Sequence, residues 1–139
     1  MRRVTYLNYR FVESFPKNLE AETLYIALEF RTMTHICCCG CGQKVITPLS
    51  PKDWKFTFDG DSISVSPSIG NWSFPCRSHY FIQSNKVLWA EDWNNTKIQR
   101  ARNIDLASKR RTYHQSKPTN SSRKQHIIQK LINWVLRTQ

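Results

Sequence analysis

The stretch His35-Ile36-Cys37-Cys38-Cys39-Gly40-Cys41-Gly42, together with Cys76-Arg77-Ser78-His79, holds all five cysteines of a 139-residue chain. Thiols this dense, with glycines between them and a Cys-x-x-His downstream, commonly surround a soft divalent metal, usually zinc. Structural zinc takes four tetrahedral N or S ligands, often as two close pairs from separate loops. Cys39-x-Cys41 and Cys76-x-x-His79 supply such pairs, and Gly40 and Gly42 let backbone amides turn toward sulfur without a Cβ clash. Cys37 competes as a ligand. It shares strand parity with Cys39 and Cys41, and the three with Cys76 would make a four-thiolate set, freeing His79 and His35 for other work. Cys38, of opposite parity, reads as a bystander. Ordinary buried thiols are the plain alternative, but five of them in one small domain rarely cluster by accident. The odd count and the adjacency of Cys37, Cys38 and Cys39 also argue against disulfides.

Outward from the cluster the chain reads as short strands. Val4–Val12 is aromatic and β-branched. Thr23–Thr32 reads as one long strand, with Leu24, Ile26, Leu28 and Phe30 on one face and Glu29 on the other, delivering the chain into His35. Val45–Thr47 is a short strand closed by Pro48 and Pro51. Trp54–Phe58 and Ser62–Ser66 form a hairpin around Asp59-Gly60, and His79–Gln83 and Val87–Ala90 a second around residues 84–86. Pro67–Trp72 reads as a loop rich in turn formers. The expected fold is mainly β, of antiparallel strands and hairpins around a zinc site, with a basic helical C-terminal extension.

Charge marks the boundary of that extension. The net charge of +11 is carried almost wholly by residues 93–139, where 11 Lys and Arg meet one acid, Asp105. We expect a zinc-binding β domain over 1–92 and a basic, partly helical segment over 93–139. Within the latter, 96–111 is weakly helical, 112–122 reads as a flexible linker, and a final helix runs from about Arg123 to Arg137. Neither a signal peptide nor a bilayer-crossing segment is visible, which places the chain in a reducing cytoplasm, without membrane contact.

The run His-x-Cys-x-Cys-Gly-Cys-Gly is followed by Thr47-Pro48-Leu49-Ser50-Pro51-x-x-Trp54, then Pro67-Ser68-Ile69-Gly70-Asn71-Trp72, then Pro75-Cys76-x-Ser78-His79-Tyr80. Over about residues 9–91 this order resembles a small bacterial zinc-binding family, formerly a domain of unknown function. The family occurs beside ubiquitin-like proteins and E1- and E2-like enzymes in bacterial ubiquitination-like (Bub) operons. Such operons commonly include a peptidase that trims the ubiquitin-like precursor or removes it from targets. The resemblance therefore implies a deconjugating or processing hydrolase, with the ubiquitin-like protein and its conjugation enzymes as partners.

Three constellations would support hydrolysis. In the first, a structural metal holds the fold and Ser78 or Ser68 is the nucleophile. His35 or His79 would then be the base, and Glu29, Asp53 or Glu91 the orienting acid. Amides of the Gly70-Asn71 turn would stabilise an oxyanion. In the second, the metal is catalytic, with Glu29 as general base to a bound water. In the third, Cys37 or Cys38 is the nucleophile beside His35. Each residue also has a plainer use: His35 as metal ligand or ligand support, the serines as loop hydrogen-bonders, Glu29 as a solvated charge. The rival function class is a non-catalytic zinc adaptor of the conjugation system. Its basic tail, with Lys109-Arg110-Arg111 near Tyr113, would offer nucleic-acid affinity.

Overall fold

The computed structural model describes residues 2–91 and 93–115. The expected helix at 123–137 and most of the expected linker lie outside them. Eight strands form two four-stranded sheets. The first orders β1 (Asn8–Phe11), β2 (Thr23–Ala27), β3 (Thr32–Ile36) and β4 (Lys44–Pro48) in sequence. The second does the same with β5 (Lys55–Phe58), β6 (Ile63–Gly70), β7 (His79–Gln83) and β8 (Lys86–Trp89). One helix, α1 (Asn95–Gln115), follows. The mainly β reading holds.

Both sheets contribute to one apolar core. Leu24, Ile26, Met33 and Val45 come from the first sheet, and Ile63, Val65, Ile69, Tyr80, Ile82 and Val87 from the second. Along β7 the alternation is clear: Tyr80 and Ile82 are buried in this core, which sends His79 and Phe81 to the opposite face. Residues 4–7 run along the free edge of β8. Leu7 N donates to Asn85 O, Val87 N to Thr5 O, and the Trp89 indole to Val4 O at 3.0 Å.

Several local readings change. The expected long strand over 23–32 is a hairpin: β2 ends at Ala27, and residues 28–31 turn the chain back into β3, with Arg31 at φ 47°. Leu28 and Phe30 are exposed on that turn rather than buried, while all five residues of β2 are buried. β1 pairs with β2 in parallel, against the antiparallel expectation, because residues 12–22 carry the chain back across the sheet end. Helix α1 continues through 112–115, the start of the segment expected as a flexible linker.

The change that matters most concerns residues 67–70, expected as loop. They continue β6 to Gly70, past a register irregularity in which Val65 faces Ile82 while Ile69 faces Tyr80. Four steps along β6 thus match two along β7, and Ser66, Pro67 and Ser68 form a bulge. Proline lacks a ladder donor, so a bulge is where a strand tolerates it. The chain divides between Asn94 and Asn95 into two units. In the second, α1 is strongly basic, exposes Ile104 and Leu106, and pairs Lys109 with Asp105 one turn away at 3.1 Å. Among the described residues, no helix is long and apolar enough to cross a membrane.

Candidate functional site

The cysteine run is the tip of the β3–β4 hairpin. Cys37 N donates to Gln43 O and Gly40 N to Cys37 O, and Gly40 and Gly42 take φ of 82° and 78°, a region that L side chains enter at a cost. Cys76 arrives from the loop before β7. The sulfurs of Cys37, Cys39, Cys41 and Cys76 all lie within 4.8 Å of one another. Individual separations are 3.4 Å for Cys37–Cys39, 3.6 Å for Cys41–Cys76 and 3.9 Å for Cys37–Cys76. A tetrahedral Zn–S site has sulfur edges of about 3.8 Å, so the donor set fits such an ion. Burial pushes the Cys37 and Cys39 thiols up. At Cys76 burial acts the same way, but the backbone N–H and hydroxyl of Ser78 and the neighbouring thiols outweigh it and bring the group down to about 7. A bound metal would take all four as thiolates, because metal ligands are deprotonated on binding. These four cysteines can bind a metal ion.

Hydrogen bonds then run inward from the cluster. Ser78 Oγ lies 3.1 Å from Cys37 Sγ and accepts from Asn71 Nδ2 at 2.9 Å. The same Asn71 amide also reaches Cys37 Sγ at 3.7 Å and the Tyr80 hydroxyl at 3.4 Å. Tyr80 in turn sits 2.7 Å from His35 Nε2. His35 is fully buried, and burial lowers it to about 4, so the ring is neutral near pH 7. Its Nδ1 is buried without a hydrogen-bond partner among the described residues. Ser78 and His35 are therefore joined through Asn71 and Tyr80, not to each other.

The other serine and histidine do meet. Ser68 Oγ lies 2.9 Å from His79 Nε2. The bulge in β6 and the alternation of β7 account for the contact: Ile69 and Tyr80 fill the core, so their neighbours Ser68 and His79 share the outer face. His79 is 6% exposed because aromatic rings enclose it. Trp72 lies 4.8 Å from it, Trp93 4.7 Å and Phe81 5.8 Å between centroids, and Trp72 stacks on Trp93 at 5.4 Å. Trp54 donates from Nε1 to Ser68 O at 3.3 Å, fixing the bulge from behind. His79 thus stands on Ser68 and outside the group of four sulfurs.

The remaining candidates are dispersed. Glu29 is exposed on the β2–β3 turn, and Glu91 is exposed after β8. Asp53 accepts from Ser50 Oγ at 2.7 Å in the turn before β5. Cys38 lies outside the sulfur group, its thiol pushed up to about 12 by burial. Of the two amides expected to serve an oxyanion, Asn71 N is taken by Ser78 O at 2.8 Å. Strand alternation then turns Gly70 N–H away from β7.

Trp93 and Phe81 were not singled out by sequence. Phe81 was findable, two residues after His79 on a strand. Trp93 sits beyond the charge boundary and carries no local signal.

A protein-family model described as "Bacterial ubiquitination-like system serine protease (BubE)" matches residues 11–90, more than half of the chain. The same chain has no match among curated proteins and none among solved structures.

Proposed function

We propose, from the premise that this chain belongs to the BubE family of bacterial ubiquitination-like system serine proteases, that it is a hydrolase that processes or removes a ubiquitin-like protein, with Ser68 as nucleophile and His79 as its base. The observation carrying this reading is the 2.9 Å Ser68 Oγ–His79 Nε2 contact. That distance suits proton transfer from the hydroxyl as it attacks a carbonyl carbon. His79 then returns the proton to the leaving group, and water repeats the cycle on the acyl-enzyme. The walls of Trp72, Trp93 and Phe81 keep the imidazole in place and exclude bulk water from it.

Ser78 has different work. Its hydroxyl is committed to Cys37 and Asn71, so it supports the thiolates. The metal is zinc in a closed, structural site: four sulfurs leave no coordination position for a water nucleophile. Held by Cys37, Cys39, Cys41 and Cys76, zinc would stitch the β3–β4 tip to the loop that launches β7, and so would fix the start of the strand carrying His79.

The test is the intact mass of the system's ubiquitin-like precursor after incubation with the protein. Wild type gives a defined C-terminal loss. Ser68→Ala abolishes it, by at least about 10³-fold in rate, with metal content unchanged. Ser78→Ala instead lowers metal affinity, by about 10–100-fold, and cleavage follows the metal-loaded fraction. Full cleavage by Ser68→Ala would refute the assignment.

A further inference from the structure

Among the described residues β4 is an edge strand, paired with β3 on one side only. Leu49 N donates to Arg31 O and Cys37 N to Gln43 O. Alternation between these two bonds assigns Val45 and Thr47 to the β3 ladder and turns the N–H and C=O of Lys44 and Ile46 outward. The next outward carbonyl, of Pro48, is already taken by Trp54 N at 3.2 Å. The open edge is therefore short, and it has a wall facing it. Lys44, Val45, Ile46 and Thr47 line one side of a cleft of about 300 Å³, with Trp54, Ile69, Gly70 and Asn71 among the residues completing it.

The wall opposite the edge leads to the nucleophile. Ile69 and Gly70 follow Ser68 directly, and Trp54 holds the Ser68 carbonyl at 3.3 Å. Thr47 is 1% exposed and its Oγ1 is buried, so what this side of the cleft offers an occupant is the outward main chain of its neighbours. Among the lining residues only Lys44 is charged, so the cleft presents main-chain groups rather than an ionic pocket. Two outward N–H and C=O sets, two residues apart and thus roughly 7 Å along the strand, match an extended polypeptide and little else.

We propose that this cleft takes the extended C-terminal tail of the ubiquitin-like substrate as a short added strand on β4, hydrogen-bonded to the main chain of Lys44 and Ile46, and so lays the scissile bond toward Ser68. This rests on the serine-protease reading above. Specificity at these positions then comes from extension of the tail, because main-chain bonds are blind to side chains. A folded loop cannot present two consecutive outward sets to the edge.

The decisive variant is Ile46→Pro in the full chain. It deletes an outward N–H that the β3 ladder does not use, and edge strands accept proline there. Two rates are read: cleavage of the ubiquitin-like precursor, and labelling of Ser68 by a small fluorophosphonate that needs no strand addition. The ratio of cleavage to labelling should fall at least tenfold. An unchanged ratio overturns the proposal. Should the variant fail to fold, wild-type protein is given peptides of the precursor's last ten residues, each with one backbone amide N-methylated in turn. A tenfold slowing at alternate positions supports the added strand, and equal cleavage throughout overturns it. Wild type that neither labels nor cleaves would remove the protease reading itself, a result distinct from labelling without dependence on Ile46.

Discussion

At the scale of single residues, two serines with similar sequence credentials part company. Ser78 lies between cysteines and histidine in sequence, yet its hydroxyl serves Cys37, whereas Ser68 reaches the histidine eleven positions away. Sequence could name both and could not rank them, because the ranking depends on a bulge that turns Ser68 onto the outer face of β6. The four-cysteine set was legible as an alternative from spacing, although the run proves to be a hairpin tip rather than a strand, so strand parity is not what gathers Cys37, Cys39 and Cys41. What spacing could not supply was the position of Cys76 and His79 relative to the tip. Gly70 tests how tightly the outer face is built. A Cβ there would overlap the Trp72 indole, and Trp72 lies on His79. Gly70→Ala should displace the indole and lower kcat/KM about tenfold or more, with the thermal midpoint shifted far less in proportion. Unchanged kinetics would show that Trp72 does not hold the imidazole.

At the scale of elements, hairpins with turn residues were readable and those without were not. Asp59-Gly60 is a turn as expected, with Asp59 Oδ1 accepting from Asp61 N and Ser62 N at 3.0 and 2.7 Å. Ser84-Asn85 forms a two-residue turn with both φ positive, 46° and 64°, the primed type that matches strand twist. Asn85 is also a tie between elements: its Oδ1 accepts from Ile63 N and its Nδ2 donates to Tyr6 Oη, each at 2.9 Å. Asn85→Ala removes both bonds and strands the buried Ile63 N–H, costing about 2–3 kcal/mol in urea unfolding. A loss under 0.5 kcal/mol would contradict that role. The β2–β3 turn carries Leu28, Glu29, Phe30 and Arg31, none a turn former, so periodicity ran straight through it. The β6 extension hid behind Pro67 and a serine-rich composition for the opposite reason: local signals said loop, and pairing with β7 overrode them.

At the scale of the whole molecule, the cysteine cluster joins the hairpin tip of one sheet to the loop entering the other. Three of the four cysteines that could bind a metal come from one contiguous run, and the fourth, Cys76, from the loop before β7. Chelation, or Cys76→Ser, should therefore loosen the two sheets together. The thermal midpoint is expected to fall by more than about 10 °C, a loss of some 2 kcal/mol or more for a domain this size. A stable apo-protein would show that the metal is dispensable to the fold. The overall class and the metal cluster were visible in the sequence because they depend on alternation and spacing, which are local. The Ser68–His79 contact depends on a bulge and the register between β6 and β7, and the cleft on how two sheets face each other, neither of which is local.

The measurement that most directly tests the account is site mapping of a fluorophosphonate adduct on the metal-loaded protein. A single adduct on Ser68, lost in His79→Ala, is the predicted result. An adduct on Ser78, or one on Ser68 that forms equally without His79, would contradict it.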